Sequence, residues 1–228
     1  MTQEPTIAAC HYCGQKNRVP PEADRDRAVC GKCRSPVFGP KRYLVFDCET
    51  NGLPTRQSQP EIVQLAWSIY SSNGELLKEH VHIIRPIGYT IPAAAARIHG
   101  ITTEMALARG EEKHEVLRAF MESANTCRAR FVAHNLAFDR GVVLAGIRSI
   151  GERLKFEDFP SFCTMLSTTE LCGIPGRFGR PKWPTLQELH EFLFGASFEG
   201  AHDALADARA TSACFFHLKQ NQLLPIDL

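Results

Sequence analysis

The stretch "YLVFDCETNGL", residues 43–53, runs apolar residues directly into two acids, Asp47 and Glu49. The apolar run predicts a buried central strand, on which residues i and i+2 share one face. The two carboxylates therefore lie side by side, with Cys48 on the opposite face. Holding two like charges so close in a buried setting is costly unless a cation lies between them. The stretch is half of a metal site if later carboxylates complete it, and otherwise an unusual strand end.

The composition is that of an ordinary globular chain. Its 228 residues allow one medium domain and a small second one. A net charge of +1 gives no global basic signature, so any nucleic-acid binding has to come from local patches. The N-terminus lacks a signal-peptide pattern, no apolar run approaches the roughly 20 residues of a membrane helix, and the odd cysteine count does not suggest disulfides. We expect a reduced, cytoplasmic protein that does not contact a membrane.

Four of the nine cysteines lie near the N-terminus in two C-x2-C pairs. The pairs, separated by 16 residues, are Cys10 with Cys13 and Cys30 with Cys33. This spacing is typical of a tetrahedral four-cysteine zinc site, and a metal is expected because about forty residues bury too little core alone. The alternatives are a pair of redox motifs, which the lack of a strand–helix context disfavours, and cysteines with no ligand role. We predict a zinc ribbon over residues 1–39 with one structural Zn²⁺.

The function of this ribbon stays open. The segment from Lys16 to Arg42 has eight lysines and arginines against three acids, which allows a nucleic-acid contact. It resembles the small zinc ribbon at the front of some bacterial thioredoxins, and that resemblance is confined to this segment. A scaffold, a nucleic-acid grip and a docking surface for a polymerase or another nucleic-acid-processing protein are equal alternatives. The turn-forming "GPKR" predicts a linker to a second domain over residues 42–220.

The second domain alternates predicted strands and helices. "EIVQLAWSIYSSNGELLKEHVHIIRP" predicts two strands around the hairpin turn Asn73-Gly74. "RFVAHN" predicts a short buried strand and "SFCTML" a fifth strand, while the segments near 113–123 and 136–151 have helical periodicity. A hairpin followed by alternating helices and strands predicts an α/β fold with a mixed sheet covered on both sides.

Two later segments deliver further acids. "AHNLAFD" places Asp139 in the opening turn of a helix after a buried strand, and "AHDALAD" places Asp207 on the last helix. His202 and Asp207, five residues apart, face different ways on one helix and converge only if His202 precedes it. Asp203 is a good N-cap, so we expect the helix to begin there. Four carboxylates and one histidine are then able to meet at one end of the sheet.

The segments "FDCET", "HNLAFD" and "HDALAD" resemble, in order and spacing, the three signature motifs of the DEDDh family of 3′–5′ exonucleases. The resemblance covers residues 43–218, and "IPAAAARIHGIT" is similar to the family's segment between the first two motifs. It implies a ribonuclease-H-like fold with a five-stranded mixed sheet. The family usually has Thr-Gly after its first motif, where this chain has Asn51-Gly52. That departure affects substrate contacts and removes no metal ligand.

The resemblance implies a two-metal-ion hydrolysis of phosphodiesters. Two Mg²⁺ or Mn²⁺ ions, which prefer hard oxygen ligands, would be held by four acids. These acids are Asp47, Glu49, Asp139 and Asp207. His202 would take a proton from the attacking water, for which an ordinary pKa of about 6.5 is suited. A nucleoside 5′-monophosphate would leave from a single-stranded or unpaired 3′ end of DNA or RNA, with proofreading, DNA repair and RNA processing all open as roles.

An alternative from another class is a catalytically silent nucleic-acid-binding or partner-docking module on the same fold. It is disfavoured because every expected acid and the histidine are present. The segment "RFGRPKW", residues 177–183, favours substrate contact because it interleaves cations and aromatic rings without an acid. Its candidate binding residues are Arg177, Arg180, Lys182 and Trp183. The alternative is a solvated loop whose Trp183 packs on the domain.

Four further residues are candidates for contacts near the site or for structural roles. The resemblance points to Thr50 and Leu53 as contacts of the terminal nucleotide. His99 matches a family position near that nucleotide and is equally well interpreted as a core residue. His134 ends a buried strand, so we interpret it as a hydrogen-bonded structural histidine.

Overall fold

The computed structural model describes residues 4–23, 28–39, 41–56, 59–127 and 129–226. Two strands near the N-terminus, β1 (Thr6–Ala9) and β2 (Lys16–Val19), pair antiparallel in the predicted ribbon. Part of that ribbon, residues 1–3 and 24–27 with the acids Asp24 and Asp26, lies outside the described residues, as does Pro40 of the predicted linker.

A five-stranded sheet forms the centre of the second domain. Its strands are β3 (Arg42–Thr50), β4 (Ile62–Ser71), β5 (Leu76–Ile83), β6 (Arg130–Ala133) and β7 (Ser161–Cys163). The strand order is β5-β4-β3-β6-β7. Because β3 pairs antiparallel with β4 and parallel with β6, the sheet is mixed, as predicted. The strand that begins with "YLVF" is the central one.

Helices cover the sheet. They are α1 (Ala93–His99), α2 (Thr103–Arg109), α3 (Lys113–Cys127), α4 (Leu136–Ser149), α5 (Thr164–Ser167), α6 (Thr169–Cys172), α7 (Leu186–Phe194) and α8 (Ala204–Gln220). Within the described parts of the chain, no helix has the length and apolar character needed to cross a membrane.

Strand β7 is shorter than the six-residue segment "SFCTML". It ends at Cys163, because the chain turns there into a helix in which the backbone N–H and the hydroxyl of Thr168 both donate to Thr164 O. The Asn73-Gly74 hairpin, in contrast, is confirmed between β4 and β5, with Gly74 at a φ of 89°.

The period of two along β3 decides where the acids point. Leu44, Phe46 and Cys48 belong to the hydrophobic core beneath α3 and α4. Tyr43 and Val45 belong to the second core, which includes Phe215 and Phe216 of α8. Asp47 and Glu49 continue the second series, so the strand directs both carboxylates to the side of the sheet that α8 covers.

Candidate active site

The two acids of β3 lie at the end of the central strand and are half-buried. Glu49 lies opposite Gln64 of β4, and the β3–β4 register shifts directly after it. On the other side, β3 pairs in parallel with β6 as far as Val45 and Val132, and His134 directly follows β6. Three neighbouring strands therefore frame the acids.

The N-terminus of α8 supplies the next two groups. Asp203 is its N-cap, because its Oδ1 accepts from the backbone N–H groups of Leu205 and Ala206 at 3.1 and 3.0 Å. His202 precedes the helix with a φ of 69°, in the left-handed region that is uncommon for residues other than glycine. Its backbone N–H donates to Asp207 Oδ2 at 3.1 Å. The predicted start of the helix is confirmed, and this conformation places His202 near Asp207.

Glu49, His202 and Asp207 form the tightest group. One ligand atom from each lies within 4.8 Å of the other two, which is close enough for all three to share one metal ion. Asp207 Oδ1 is buried and has no hydrogen-bond partner among the described residues. A buried carboxylate oxygen without a donor needs a proton or a cation.

Asp139, in the first turn of α4, contacts the same end of β3 from the side of the sheet that α3 and α4 cover. It is 3% exposed, and its Oδ1 accepts from the backbone N–H of Cys48 at 3.1 Å and from Cys48 Sγ at 3.2 Å. Burial and then Asp139 raise the pKa of the Cys48 thiol well above its usual value, so the thiol keeps the proton that it donates. Cys48, which lies between Asp47 and Glu49 in the sequence, thus orients the carboxylate of Asp139 through two hydrogen bonds.

The pKa values of the four carboxylates are raised by burial and by one another. Burial, followed by repulsion from Asp139, Asp207 and Glu49, holds the pKa of Asp47 well above its ordinary value. Burial, followed by repulsion from Asp207, Asp139 and Asp203, raises the pKa of Glu49 to about 7, and burial raises the pKa of Asp139 to about 7. For Asp207, burial raises the pKa to about 6 against the lowering effect of the His202 N–H.

These residues fit divalent cations. The donor atoms are carboxylate oxygens, which suit Mg²⁺ or Mn²⁺, and the imidazole of His202 lies beside them. A cation would relieve the mutual repulsion of the acids and give the buried Asp207 Oδ1 a partner. The structure therefore brings all five predicted groups to one strand end, with Asp47 and Asp139 next to the group of three.

Gln64 is a contributor that sequence reasoning missed. This buried residue of β4 donates from Nε2 to Asp203 Oδ2 at 3.1 Å, and its Oε1 accepts from the backbone N–H of Ala204 at 2.9 Å. A signal was present, because a glutamine inside the apolar run "EIVQLAWSIY" has to find hydrogen-bond partners once the strand is buried.

The predicted contacts of the terminal nucleotide surround the acids unequally. Thr50 is buried, and its hydroxyl donates to Gly52 O at 2.7 Å, whereas Leu53 is 80% exposed. Burial lowers the pKa of His99, the Thr50 backbone raises it and the charge of His202 lowers it, which places His99 at the border of the site. His99 Nδ1 accepts from the N–H of Ile101 at 3.2 Å, and its Nε2 is buried with no partner in the described ranges.

His134 has the structural environment that we expect. Its Nε2 donates to Pro184 O at 3.0 Å, which leaves Nδ1 to accept from the Thr164 hydroxyl at 3.0 Å. Burial lowers its pKa to about 4, so the ring is neutral near pH 7. His134 fixes the beginning of the segment that leads into α7.

The segment 177–183 lies at the surface. Trp183 is 63% exposed and does not pack into the core. Lys182 Nζ pairs with Glu188 Oε1 at 2.5 Å, which reduces the charge it presents to a substrate. Arg177 and Arg180 have no ion pair with a carboxylate of the described residues. The two arginines are thus the stronger candidates for phosphate contacts.

The four ribbon cysteines form a second, separate cluster. Their sulfur atoms all lie within 4.8 Å of one another, with Cys10 and Cys33 at 3.6 Å and Cys13 and Cys30 at 3.7 Å. Tetrahedral zinc with Zn–S bonds of about 2.3 Å requires sulfurs about 3.8 Å apart, so the cluster fits Zn²⁺. The N–H of Cys33 is the main cause that lowers the pKa of Cys30 to about 6, whereas, against the lowering effect of the Gln15 N–H, burial and the neighbouring sulfurs raise the pKa of Cys13 to about 11. The four sulfurs therefore become thiolates together only if a cation binds them.

Comparison with known proteins agrees with this geometry. A family model described as "Exonuclease" (RNase_T) matches residues 44–215. A DNA polymerase III subunit epsilon-like protein of Rhodobacter capsulatus is 34% identical over 77% of this chain and 23% of its own length. An uncharacterized exonuclease, CP81 of Escherichia phage 186, is 35% identical over 74% of this chain and 83% of its own.

Among solved structures, E. coli exonuclease I in complex with a dT13 oligonucleotide superposes with a TM-score of 0.67 and 23% identity, over 80% of this chain and 42% of that chain. This likeness shows a shared fold. The chain thus spans about a quarter of the Rhodobacter relative and less than half of exonuclease I. With three quarters of its residues matched by one family model, the chain belongs to the exonuclease family, as a member of the DEDD type.

Proposed function

We propose that the protein is a metal-dependent 3′–5′ exonuclease that releases nucleoside 5′-monophosphates from single-stranded or unpaired 3′ ends. The observation that carries the proposal is the group of Glu49, His202 and Asp207, whose ligand atoms lie within 4.8 Å of one another beside Asp47 and Asp139. Membership of the exonuclease family supports the same reaction.

In this proposal the four carboxylates hold two Mg²⁺ or Mn²⁺ ions. Bound ions supply Lewis acidity, which lowers the pKa of water and stabilises negative charge on phosphate oxygens. Asp139 is held for this task by two hydrogen bonds from Cys48, and Asp207 by the backbone N–H of His202. The ligands are thus oriented by the fold before any ion or substrate binds.

His202 acts as the general base. It is exposed, so its ring is accessible to a water molecule and to the scissile phosphate, and it lies within 4.8 Å of Glu49 and Asp207. It accepts the proton of the attacking water, while the carboxylates stay ionised as ligands. The bond between phosphorus and the 3′ oxygen of the penultimate nucleotide breaks, and the terminal nucleotide leaves with its 5′ phosphate.

Substrate contacts follow from position and charge. Thr50, Leu53 and His99 border the acids and are proposed to contact the terminal nucleotide. The more distant contacts are proposed for Arg177, Arg180, Lys182 and Trp183. DNA is the favoured substrate because the relatives include a DNA polymerase III subunit epsilon-like protein, and exonuclease I is seen bound to dT13.

The zinc ribbon is proposed to be a separate structural domain. One Zn²⁺ would be held by Cys10, Cys13, Cys30 and Cys33, in residues 1–39, with the exonuclease domain over residues 42–220. Asn17 supports the site, because its Oδ1 accepts from Gly31 N–H at 3.0 Å. The similarity to polymerase-associated proteins makes a polymerase the partner class to test against the ribbon.

Oligonucleotide digestion tests the proposed reaction. DNA and RNA 20-mers with a 5′ label are incubated with wild type and Asp47→Asn, with Mg²⁺ or Mn²⁺ and without either. We expect a ladder that shortens from the 3′ end for wild type with metal. Wild type without metal, and Asp47→Asn under either condition, should show no shortening. Binding without shortening would support the silent docking module, and shortening by Asp47→Asn would refute the assigned site.

A further inference from the structure

Residues 174–182, here called the tip hairpin, form a small projection before α7. The backbone N–H of Gly176 donates to Arg180 O at 3.1 Å, and that of Lys182 donates to Ile174 O at 2.9 Å. Pro175 and Pro181 form the antiparallel bridge between these bonds. A Cβ at Gly176 would lie 2.5 Å from Arg180 O, so only glycine permits this close approach.

The turn of the tip hairpin does not explain its aromatic residue. Phe178 has φ 60° and ψ 29°, and Gly179 follows with a φ of 73°. Two consecutive left-handed residues match a type I′ turn, which favours asparagine, aspartate or glycine at its first central position. A phenylalanine there is unfavourable for the backbone.

Burial does not explain Phe178 either. Its side chain is 99% exposed, the largest exposure of any apolar side chain of similar size in the described ranges. No ring or core contact joins it to the described part of the domain. An aromatic ring that neither the turn nor the core requires is best explained by a contact outside the chain.

The charge around Phe178 identifies the kind of contact. Arg177 and Arg180 flank it, no described carboxylate pairs with either, and residues 174–183 contain no acid. Guanidinium groups suit phosphates, and an exposed ring offers a face to an unpaired base. A protein partner with an acidic and apolar surface would also complement the two arginines and the exposed ring.

The position of the tip hairpin favours nucleic acid. Two residues beyond it, Pro184 O accepts from His134 Nε2 at 3.0 Å, and His134 directly follows β6, the sheet neighbour of the strand that carries Asp47. Neighbouring strands are about 4.8 Å apart, so the tip hairpin is rooted one strand from the acid cluster. A strand whose 3′ end reaches the acids would pass this projection.

We propose that Phe178 stacks on an unpaired base of the strand whose 3′-terminal nucleotide occupies the acid cluster, with Arg177 and Arg180 on the adjacent phosphates. This inference rests on the proposed function for the identity of the ligand. It adds a stacking residue outside the acid site and makes the tip hairpin selective for unpaired strands.

Binding of a 5′-labelled dT12 oligonucleotide tests the inference, with the full chain and fluorescence anisotropy. Asp47→Asn is present in every protein so that the probe is not cut. Phe178→Asn suits the left-handed turn and removes the ring, whereas Phe178→Trp keeps a stacking surface. Phe192→Gln removes another exposed phenylalanine, on α7, as the matched control.

We expect Phe178→Asn to weaken binding about ten-fold without lowering the melting temperature, since stacking on one base has this magnitude. Phe178→Trp and Phe192→Gln should bind within two-fold of the parent. Unchanged affinity in Phe178→Asn would overturn the inference and favour a protein partner. Weaker binding accompanied by a lower melting temperature would also overturn it, because the loss would then come from the fold. Hydrolysis of the small ester thymidine 5′-(p-nitrophenyl phosphate) by wild type reports separately on the proposed function. If wild type does not hydrolyse this ester, the proposed function fails, while the binding measurement still decides whether Phe178 stacks on a base.

Discussion

The side-chain amide of Gln64 is hydrogen-bonded to the N-cap residue Asp203, with Nε2 donating to Oδ2 at 3.1 Å, and it also accepts from the N–H of Ala204 at 2.9 Å. Gln64 lies opposite Glu49 in the β3–β4 register. One amide therefore connects the start of α8, which His202 precedes, to the strand beside the acids of β3. The two halves of the candidate site are held together at this point.

Replacement of Gln64 by methionine should loosen this connection. Gln64→Met keeps the volume and loses both hydrogen bonds, which leaves the Ala204 N–H without a partner in a buried position. We expect the free energy of unfolding to fall by about 1–3 kcal/mol, measured by urea denaturation. We also expect nuclease activity to fall more than ten-fold, since positioning residues around metal ligands have effects of about 10–100-fold.

The matched control for this change is Gln220→Met, at the exposed end of α8, which loses one bond of 3.3 Å to Asn73 O. It should change stability by less than about 0.5 kcal/mol and leave activity unaltered. Equal effects of the two substitutions would show that Gln64 has no special role.

Cys48 should act through Asp139. Cys48→Ser keeps a donor for Asp139 Oδ1, and Cys48→Ala removes the side-chain donor while the backbone N–H remains. We expect Mn²⁺ affinity, measured by calorimetric titration, to fall only several-fold in Cys48→Ala, because the thiol that is lost is a weak donor. In Cys48→Ser the affinity should fall about two-fold at most, because the hydroxyl still donates to Asp139. Cys214→Ala, which removes another buried cysteine on α8, should leave Mn²⁺ affinity unchanged.

Stability without added Mg²⁺ or Mn²⁺ should depend on pH with an unusual sign. Burial raises the pKa of Glu49 and of Asp139 to about 7 and that of Asp207 to about 6, whereas unfolded acids titrate near 4. Between pH 4 and 7 the folded state then binds more protons than the unfolded state, so stability falls as the pH rises.

Urea midpoints between pH 5 and pH 8 measure this effect, with zinc kept in the ribbon. The decline should be smaller in Asp207→Asn, which removes one titrating acid, and Mn²⁺ should stabilise wild type most at pH 8, where protons no longer compete. His134, whose pKa burial lowers to about 4, acts in the opposite direction below about pH 6.5, so the comparison between the two proteins is decisive. A decline in Asp207→Asn as large as that of wild type would contradict the acid cluster.

Removal of zinc should unfold the ribbon alone. Its core contains few residues, among them Ala8, Val19 and Val37 with the buried Cys10 and Cys30. We expect Cys30→Ser to lose zinc by elemental analysis and to become sensitive to proteolysis between residues 4 and 39, while residues 42–220 stay resistant. Cys172→Ser, outside the ribbon, should keep its zinc. Resistance of the ribbon in Cys30→Ser would argue against a metal-dependent domain.

The sequence was most informative where chemistry and local periodicity coincide. The alternation along β3 correctly directs Asp47 and Glu49 to one face, and the helix geometry correctly places His202 before the N-cap Asp203. The three motifs also indicate the family and the mixed sheet, both of which are confirmed. The first two features depend on spacings of two to five residues, and the family depends on the order of three short motifs, all of which a single sequence displays.

Features that depend on long-range packing were not predictable in the same way. The bond between Gln64 and Asp203 joins residues 139 positions apart, and the two bonds between Cys48 and Asp139 span 91 positions. The exposure and turn conformation of Phe178 depend on how the tip hairpin closes, which the pattern of "RFGRPKW" does not specify. A buried glutamine signals only that some partner exists.

The central claim is that four distant carboxylates gather around a pair of divalent ions beside one imidazole. Anomalous diffraction from crystals grown with Mn²⁺ and a nucleoside 5′-monophosphate tests it most directly. The account predicts two Mn²⁺ peaks among the oxygens of Asp47, Glu49, Asp139 and Asp207, with the nucleotide phosphate in contact with both. The absence of Mn²⁺ at the end of β3, with the nucleotide bound elsewhere, would contradict it.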